Sequence, residues 1–299
     1  MIPIGTSLDF SQRRPDISDL STTTLMKLAL STHLFVRHRL TTVWLDRTWD
    51  AGFPEVEIFC ARQHIDYRDK AQVNELAHWF HDSELKVHSL HAPMYSDDVW
   101  GRSGPNAVID ITETTKARRM NAVDEIKRAL EIADVIPFRY LIQHLGVTGQ
   151  DFDQRRWDSA FSSLDELKVF AGQRGVEILL ENTPNLLSTA DRLNAFLAET
   201  HLNLNYCFDI GHAHMSHGVE DQFERMKERI RSTHIHDNDG SADLHLLPCK
   251  GNIDWPKAMQ LLGSRREQYP LLLELKEPPG VERLADEAKS AADRITEFL

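Results

Sequence analysis

Acidic and histidine residues end most of the short apolar runs in this sequence. Carboxylates and imidazoles are the side chains that bind divalent cations in proteins, so this recurrence predicts a metal site. In chain order they are His91 in SLHAP, His144 in LIQHLG, Glu181 in ILLENTP, Asp209 and His212 in CFDIGH, His234 and His236 in THIHDN, and Glu274 in LLLELKE. A further pair, Asp243 and His245 in DLHLLP, follows the run that contains His234. A metal held by such residues could polarise a carbonyl for proton transfer or activate water for hydrolysis.

The elements that would position these residues alternate regularly along the chain. Short apolar runs predict eight β-strands, at 28–35, 55–59, 86–93, 139–146, 176–184, 204–212, 231–238 and 270–277. Helical periodicity predicts eight helices, at about 40–51, 71–85, 114–134, 157–174, 190–199 and 220–230, from about 253 onward, and at 282–298. Such alternation is typical of parallel sheets, and it predicts an α/β fold, a single (β/α)₈ TIM barrel over 25–299. Residues 1–24 are polar and are predicted to form a short N-terminal extension.

Side-chain parity within the predicted strands places the acidic and histidine residues inside the barrel. Residues two apart share a face of a strand, so Glu181 lies on the side of Leu179 and Asp209 on the side of Cys207. A buried carboxylate that nothing compensates is costly, which disfavours a purely structural role. Barrel enzymes place their sites at the C-terminal ends of the strands, and a metal site is therefore predicted there.

Composition disfavours several classes of protein. The 299 residues are 41% hydrophobic and 27% charged, which is sufficient for a large core. A net charge of −12 argues against a constitutive nucleic-acid binder, because phosphate backbones attract Lys and Arg. Three scattered cysteines indicate a reducing compartment. Neither a signal-peptide pattern nor an apolar stretch of ~20 residues is evident, so a cytoplasmic location without a membrane partner is expected, and a homo-oligomer is left open.

Two segments carry a resemblance to a known family. The stretch FDIGHAHM contains an Asp-x-x-His at Asp209 and His212, and THIHDNDGSADLHLLPCKGNIDW contains a His-hydrophobic-x-Asp beginning at His234. An Asp-x-His follows at Asp243 and His245. Together they resemble the xylose-isomerase-like TIM barrels, the family that joins sugar isomerases and epimerases with endonuclease IV. The family's Gly-x-Gly is replaced by Cys249-Lys250-Gly251, which puts the local backbone contact of that loop in doubt.

The resemblance implies two different ligand sets. By likeness to the mononuclear isomerases and epimerases, the metal is held by Glu181, Asp209, His234 and Glu274, with Glu181 and Glu274 as the catalytic pair. By likeness to endonuclease IV, nine residues hold three zinc ions, namely those four together with His91, His144, His212, Asp243 and His245. The divalent ion is expected to be Mn²⁺, Zn²⁺, Co²⁺ or Mg²⁺, because added imidazoles shift a carboxylate-rich site toward Zn²⁺.

A sugar or sugar-phosphate isomerase or epimerase is the favoured function. Its small-molecule sugar or polyol would lose a proton beside a metal-polarised carbonyl. No evident basic surface is available to grip a DNA backbone, which disfavours the first alternative, an endonuclease IV-like zinc phosphodiesterase. The second alternative is a non-catalytic barrel that binds a carbohydrate or a metal.

Other polar residues near the strand ends are candidate substrate contacts. They are His33, Glu57, His236 and Lys250. Outside this group, Arg118 and Arg119 could meet a phosphate, although a solvated helix face is the favoured interpretation.

Overall fold

The computed structural model describes residues 26–299, so the predicted extension over 1–24 lies outside the described residues. Eight parallel strands form the sheet in the order β7-β6-β5-β4-β3-β2-β1-β8. The strands are β1 Leu28–Ser31, β2 Glu55–Phe59, β3 Lys86–His91, β4 Tyr140–Gln143, β5 Glu177–Glu181, β6 Asn205–Asp209, β7 Ile230–His234 and β8 Leu271–Leu273. A parallel bridge between Ile235 and Leu273 joins the two ends of this order. The predicted (β/α)₈ barrel is therefore confirmed.

Helices connect the strands and cover the outside of the barrel. Over residues 26–299 they are α1 Thr42–Asp50, α2 Lys70–Asp82, α3 Lys116–Leu130, α4 Gln154–Gly172, α5 Ala190–Glu199, α6 Ile210–Met215, α7 Val219–Met226, α8 Trp255–Gly263 and α9 Leu284–Thr296. None of these helices is long and apolar enough to cross a membrane. The cytoplasmic location stays a prediction.

Seven of the eight predicted strands end earlier than expected. In two of them, a side chain near the end of the strand bonds to the backbone of the segment that follows. The first, predicted to reach 35, turns into a 3₁₀ helix at Thr32–Phe35, and the Ser31 hydroxyl accepts from the His33 N–H at 3.3 Å. The sixth, predicted to reach 212, ends at Asp209, whose carboxylate accepts from the His212 N–H at 2.7 Å and caps α6. This short helix was not predicted. It turns His212 back over the barrel mouth.

The predicted side-chain parity holds inside the barrel. Tyr140, Ile142, Leu179 and Cys207 pack together as one buried cluster. They are the inward-facing neighbours of His144, Glu181 and Asp209. The apolar cluster therefore fills the barrel interior beneath these polar side chains, on the side toward the N-terminal ends of the strands. Interior packing thus directs them to the C-terminal mouth of the barrel.

The loop after β7 contains Cys249-Lys250-Gly251, the segment in which a cysteine replaces the first glycine of the Gly-x-Gly pattern. Gly251 is retained for a steric reason, since a Cβ there would lie 2.2 Å from the Asn238 carbonyl oxygen. Cys249 stands where the family has the other glycine, and it adopts a φ of 69°. The loop therefore keeps a backbone conformation that favours glycine, with a side chain attached.

Replacing Cys249 by glycine is expected to raise the free energy of unfolding by about 0.5–1 kcal/mol. Relief of a left-handed residue is worth roughly 1–2 kcal/mol, and the greater freedom of glycine in the unfolded chain offsets part of it. Urea unfolding of the two proteins measures the difference. Cys249→Ala is the control, because it removes the thiol but retains the strain, and an equal gain from both variants would contradict the explanation.

Candidate functional site

Four side chains at the C-terminal ends of β5, β6, β7 and β8 form the first cluster: Glu181, Asp209, His234 and Glu274. One ligand atom from each lies within 4.8 Å of the others. The His234 Nδ1 is 3.2 Å from Glu181 Oε1, 3.4 Å from Glu274 Oε2 and 3.8 Å from Asp209 Oδ2. All four residues are buried. The structure thus brings together the set that the sequence predicts for a mononuclear site.

Several atoms of the first cluster have no hydrogen-bond partner among residues 26–299. They are Glu181 Oε1, His234 Nδ1 and Glu274 Oε1. Buried polar atoms are nearly always satisfied, so converging unsatisfied atoms need an explanation. A divalent cation fits this donor set, because it would bind these atoms together.

The pKa shifts show how the charges in this cluster are balanced. Burial alone would raise the pKa of Glu181, but the imidazoles of His234 and His144 hold that pKa well below its usual range. Burial alone would lower the pKa of His234, but the acidic groups around it, Cys207, Glu274 and Glu181 foremost, raise that pKa well above its usual value. Burial raises the pKa of Glu274 to about 8. The carboxylates of the first cluster therefore favour positive charge among them, and a bound cation could supply it.

The second cluster consists of His91, His144 and Glu181. The Glu181 Oε2 accepts from His144 Nε2 at 3.0 Å and lies 3.7 Å from His91 Nε2. The other ring nitrogen of His91 donates to the Ala92 carbonyl at 2.8 Å, which leaves Nε2 facing Glu181. Glu181 therefore belongs to both the first and the second cluster.

The third cluster consists of His212, His236, Asp243 and His245. Asp243 Oδ2 lies 3.2 Å from His212 Nε2 and 3.2 Å from His245 Nε2. The Nδ1–H of His212 donates to the Asn182 carbonyl and that of His245 to the Glu274 carbonyl, at 2.9 and 3.0 Å. Backbone bonds of this kind fix the ring orientation of metal-binding histidines. Ring nitrogens from two elements thus face one carboxylate.

His245 is held in an uncommon backbone conformation, with a φ of 46°. Its carbonyl accepts from the Lys276 N–H at 2.9 Å, which ties the loop after β7 to the end of β8. Burial alone would lower the pKa of its imidazole, but Asp243 raises that pKa to about 9. Strained residues of this kind are concentrated at functional sites, consistent with a ligand role for His245.

His236 occupies a different position from the one predicted for a substrate contact. It is fully buried, and its Nε2 donates to both carboxylate oxygens of Asp209 at 3.1 Å. Its ring stacks on that of His245, with centroids 4.1 Å apart. His236 therefore links the first and third clusters. The repeated His-x-His of HIH places both imidazoles on one face of the strand, but it does not indicate the contact with Asp209.

Gly211 makes room for that ring. A Cβ at this position would lie 2.0 Å from His236 Cε1. Replacing Gly211 by alanine is expected to displace the imidazole from Asp209 and to lower the free energy of unfolding by about 1–3 kcal/mol, as overpacking does. Chemical denaturation measures the loss. Gly172→Ala is the matched control, because nothing lies within 4 Å of its added methyl group; equal losses from both variants would contradict the steric explanation.

Asn182 is a supporting residue that the sequence interpretation missed. Its amide donates to the Asp209 carbonyl, and its side-chain oxygen accepts from the Asp209 N–H, both at 2.8 Å. These two bonds fix the backbone of one candidate ligand from the strand that carries another. Its position directly after Glu181 in LLEN was the available signal.

A cavity of about 1360 Å³ opens above the clusters. His33, a predicted substrate contact, lines it and donates from Nδ1 to the Leu275 carbonyl at 2.9 Å. Phe59 and Trp100, whose ring centroids are 5.2 Å apart, form an aromatic wall beside it.

Two predicted substrate contacts do not line the cavity. Within residues 26–299 the lining includes neither Glu57 nor Lys250. Lys250 is exposed, and Lys276 is the lysine that reaches the cavity.

The cavity also extends along one face of α3. Arg118 lines it, together with Arg68 and Arg128. Arg68 and Arg128 both bond to the buried Glu125. The positive charge of this part of the wall is therefore partly neutralised inside the protein.

A model of the xylose isomerase-like TIM barrel family matches residues 45–297, and the chain belongs to that family. Among curated proteins it is 26% identical over 211 residues to the uncharacterized protein y4fM of Sinorhizobium fredii, covering 64% of this chain and 67% of that one.

Solved structures share the fold, and three of them illustrate the similarity. A D-tagatose 3-epimerase-like protein superimposes with a TM-score of 0.72 at 24% identity, covering 91% of this chain and 97% of its own. L-ribulose 3-epimerase gives a TM-score of 0.72 at 18% identity, covering 91% and 95%. The IOLI protein with a bound zinc atom gives 0.67 at 20% identity, covering 91% and 96%.

Proposed function

We propose that the protein is a divalent-metal-dependent epimerase or isomerase of a sugar or sugar-like polyol. The observation that carries this proposal is the pair of buried glutamates in the first cluster. Glu181 and Glu274 come from different strands, face the same His234 nitrogen at 3.2 and 3.4 Å, and both line the large cavity. Two carboxylates on one substrate site can remove and return a proton.

The proton balance of the reaction requires only these two groups. One glutamate accepts the proton of the carbon beside the carbonyl, and the electron pair of the broken C–H bond moves into the carbon–oxygen system. The other glutamate delivers a proton to the opposite face of that carbon, which inverts it. A bound divalent cation would supply positive charge beside the oxygen that becomes negative. His33 and the aromatic wall would orient the sugar, and burial would exclude bulk water from the reacting carbon.

The structural neighbours support this choice. Two of them are described as a D-tagatose 3-epimerase-like protein and an L-ribulose 3-epimerase, and a third was solved with a zinc atom. In the first cluster of this chain, three carboxylates and one imidazole suit Mn²⁺, Mg²⁺ or Co²⁺. The three imidazoles of the third cluster suit Zn²⁺.

A second candidate function is a zinc phosphodiesterase resembling endonuclease IV. The observation in its favour is that three ligand clusters adjoin, with Glu181 shared by two of them. Several metal ions in one site can ready a hydroxide and stabilise a leaving oxygen. Against it, three of the five arginines that line the cavity are paired with carboxylates: Arg68 and Arg128 with Glu125, and Arg156 with Asp110 at 2.9 Å. A phosphate backbone needs such cations unpaired.

A paired assay distinguishes the two functions. The protein, reloaded with Mn²⁺, Co²⁺ or Zn²⁺, is incubated in D₂O with a panel of ketoses and aldoses, and separately with an oligonucleotide that contains an abasic site. We expect deuterium incorporation and an epimeric product from at least one sugar, with no comparable cleavage of the oligonucleotide. Metal-dependent cleavage without exchange into any sugar would establish the phosphodiesterase instead.

A further inference from the structure

Glu57 is a buried carboxylate that the proposed reaction does not use. It lies on β2 with no exposed surface. Its Oε2 accepts from the Ser89 hydroxyl at 2.7 Å and from His234 Nε2 at 3.3 Å. Its Oε1 has no hydrogen-bond partner among residues 26–299. Burying a charged carboxylate lowers the stability of the fold unless partners compensate it. The contact of Glu57 with His234 therefore needs a functional explanation.

The two nitrogens of His234 face different groups. Nε2 points to Glu57 with hydrogen-bond geometry, whereas Nδ1 faces the carboxylates of Glu181 and Glu274 without such geometry. A neutral imidazole carries one N–H and one lone pair. Donation to Glu57 places the proton on Nε2, and the lone pair of Nδ1 then points into the first cluster.

We propose that Glu57 is a positioning residue for the metal site, one that holds His234 in the Nε2–H tautomer and directs Nδ1 at the bound ion. This inference rests on the metal site of the proposed function. Carboxylates that accept the second N–H of a metal-binding histidine fix its tautomer and raise its basicity as a ligand. Glu57 acts through His234 only, because it does not line the cavity where the substrate would bind.

Glu55 provides a matched control on the same strand. It also pairs with a histidine, with Oε2 3.2 Å from His88 Nδ1, and it lies near Lys27 at 3.5 Å. His88 donates to the Ser232 hydroxyl or accepts from it at 3.2 Å and belongs to none of the three clusters. Glu55→Gln therefore removes a carboxylate–histidine pair from the barrel interior without touching a candidate ligand.

The first test measures Co²⁺ affinity by competition with a chelator, together with the visible absorption spectrum of bound Co²⁺. Glu57→Gln is expected to weaken Co²⁺ binding by about 10–100-fold and to alter the spectrum. Glu55→Gln is expected to stay within about threefold of the unmodified protein. Equal affinities for Glu57→Gln and the unmodified protein would overturn the proposal, and so would equal losses from the two variants.

A second measurement needs no variant, since Glu57→Gln could fail to fold. Imidazole ¹⁵N chemical shifts of the Zn²⁺-loaded protein report which nitrogen of each histidine carries the proton. We expect a proton on His234 Nε2 and a metal-shifted Nδ1, and the reverse pattern would overturn the inference. If Glu57→Gln binds Co²⁺ as tightly as the unmodified protein and still catalyses deuterium exchange into a sugar, only this inference is overturned. Failure of the unmodified protein to bind any metal would overturn the proposed function together with it.

Discussion

Glu274→Gln is expected to lower the kcat of sugar epimerisation by about 10²-fold or more, as removal of a general acid–base does. The glutamine side chain has nearly the same shape but can neither accept nor return the substrate proton. Because Glu274 is buried in the first cluster and burial raises its pKa to about 8, loss of its charge should leave the fold intact. Steady-state kinetics measures the effect at metal concentrations that saturate both proteins, with the metal content checked by elemental analysis, because Glu274 is also a candidate metal ligand.

Glu277→Gln is the control for that result. Glu277 also lines the cavity, three residues further along, but its carboxylate pairs with His38 at 3.4 Å near the surface. We expect its kcat to stay within about threefold of the unmodified protein. A similar loss of kcat in Glu277→Gln would show that the effect comes from negative charge at the barrel mouth. It would contradict the assignment of Glu274 as a general acid–base.

Asp209→Asn is expected to lose the metal of the first cluster while the barrel stays folded. A residue that only supports a ligand is worth 10–100-fold in metal affinity, so loss of a ligand's charge should exceed that range. The asparagine oxygen can still accept from the His212 N–H and from His236, the two bonds that Asp209 makes locally. Asp209→Ala removes both bonds as well and should lower the free energy of unfolding by an additional ~1 kcal/mol or more.

Elemental analysis after dialysis measures the metal content of these variants. Asp254→Asn provides the comparison, because Asp254 also caps a helix, accepting from the Lys257 N–H at 3.2 Å, but it lies outside the three clusters. It should keep its full metal content. Full metal retention in Asp209→Asn would contradict the assignment of the first cluster.

The sequence predicts the barrel and a group of acidic and histidine residues at its mouth because both depend on local patterns. The resemblance to a known family singled out the four residues of the first cluster. Each apolar run of strand length can be recognised without knowledge of the others. A charged residue at the end of such a run has few purely structural explanations. Parity places Glu181 above Leu179 and Asp209 above Cys207, and these apolar neighbours do pack inside the barrel. For such residues, strand geometry alone determines where the side chain points.

The roles of Glu57 and His236 could not be predicted in the same way. Each depends on a contact between distant parts of the chain, Glu57 with His234 across the barrel and His236 with Asp209 from the next strand. Alternation indicates that both face inward, but not whether they face the cavity or a ligand. The turn of Thr32–Phe35 and the short helix α6 were missed because single side chains, Ser31 and Asp209, cap them.

Deuterium incorporation at the carbon beside the carbonyl of a ketose substrate, measured in D₂O, tests the central claim most directly. The measurement compares protein stripped by a chelator with the same protein reloaded with Mn²⁺ or Co²⁺. Metal-dependent proton transfer predicts exchange in the reloaded protein only, and the two-glutamate mechanism predicts loss of the epimeric product in Glu274→Gln. Equal exchange before and after reloading would contradict the account, as would its absence from every sugar while the reloaded protein cleaves an abasic oligonucleotide.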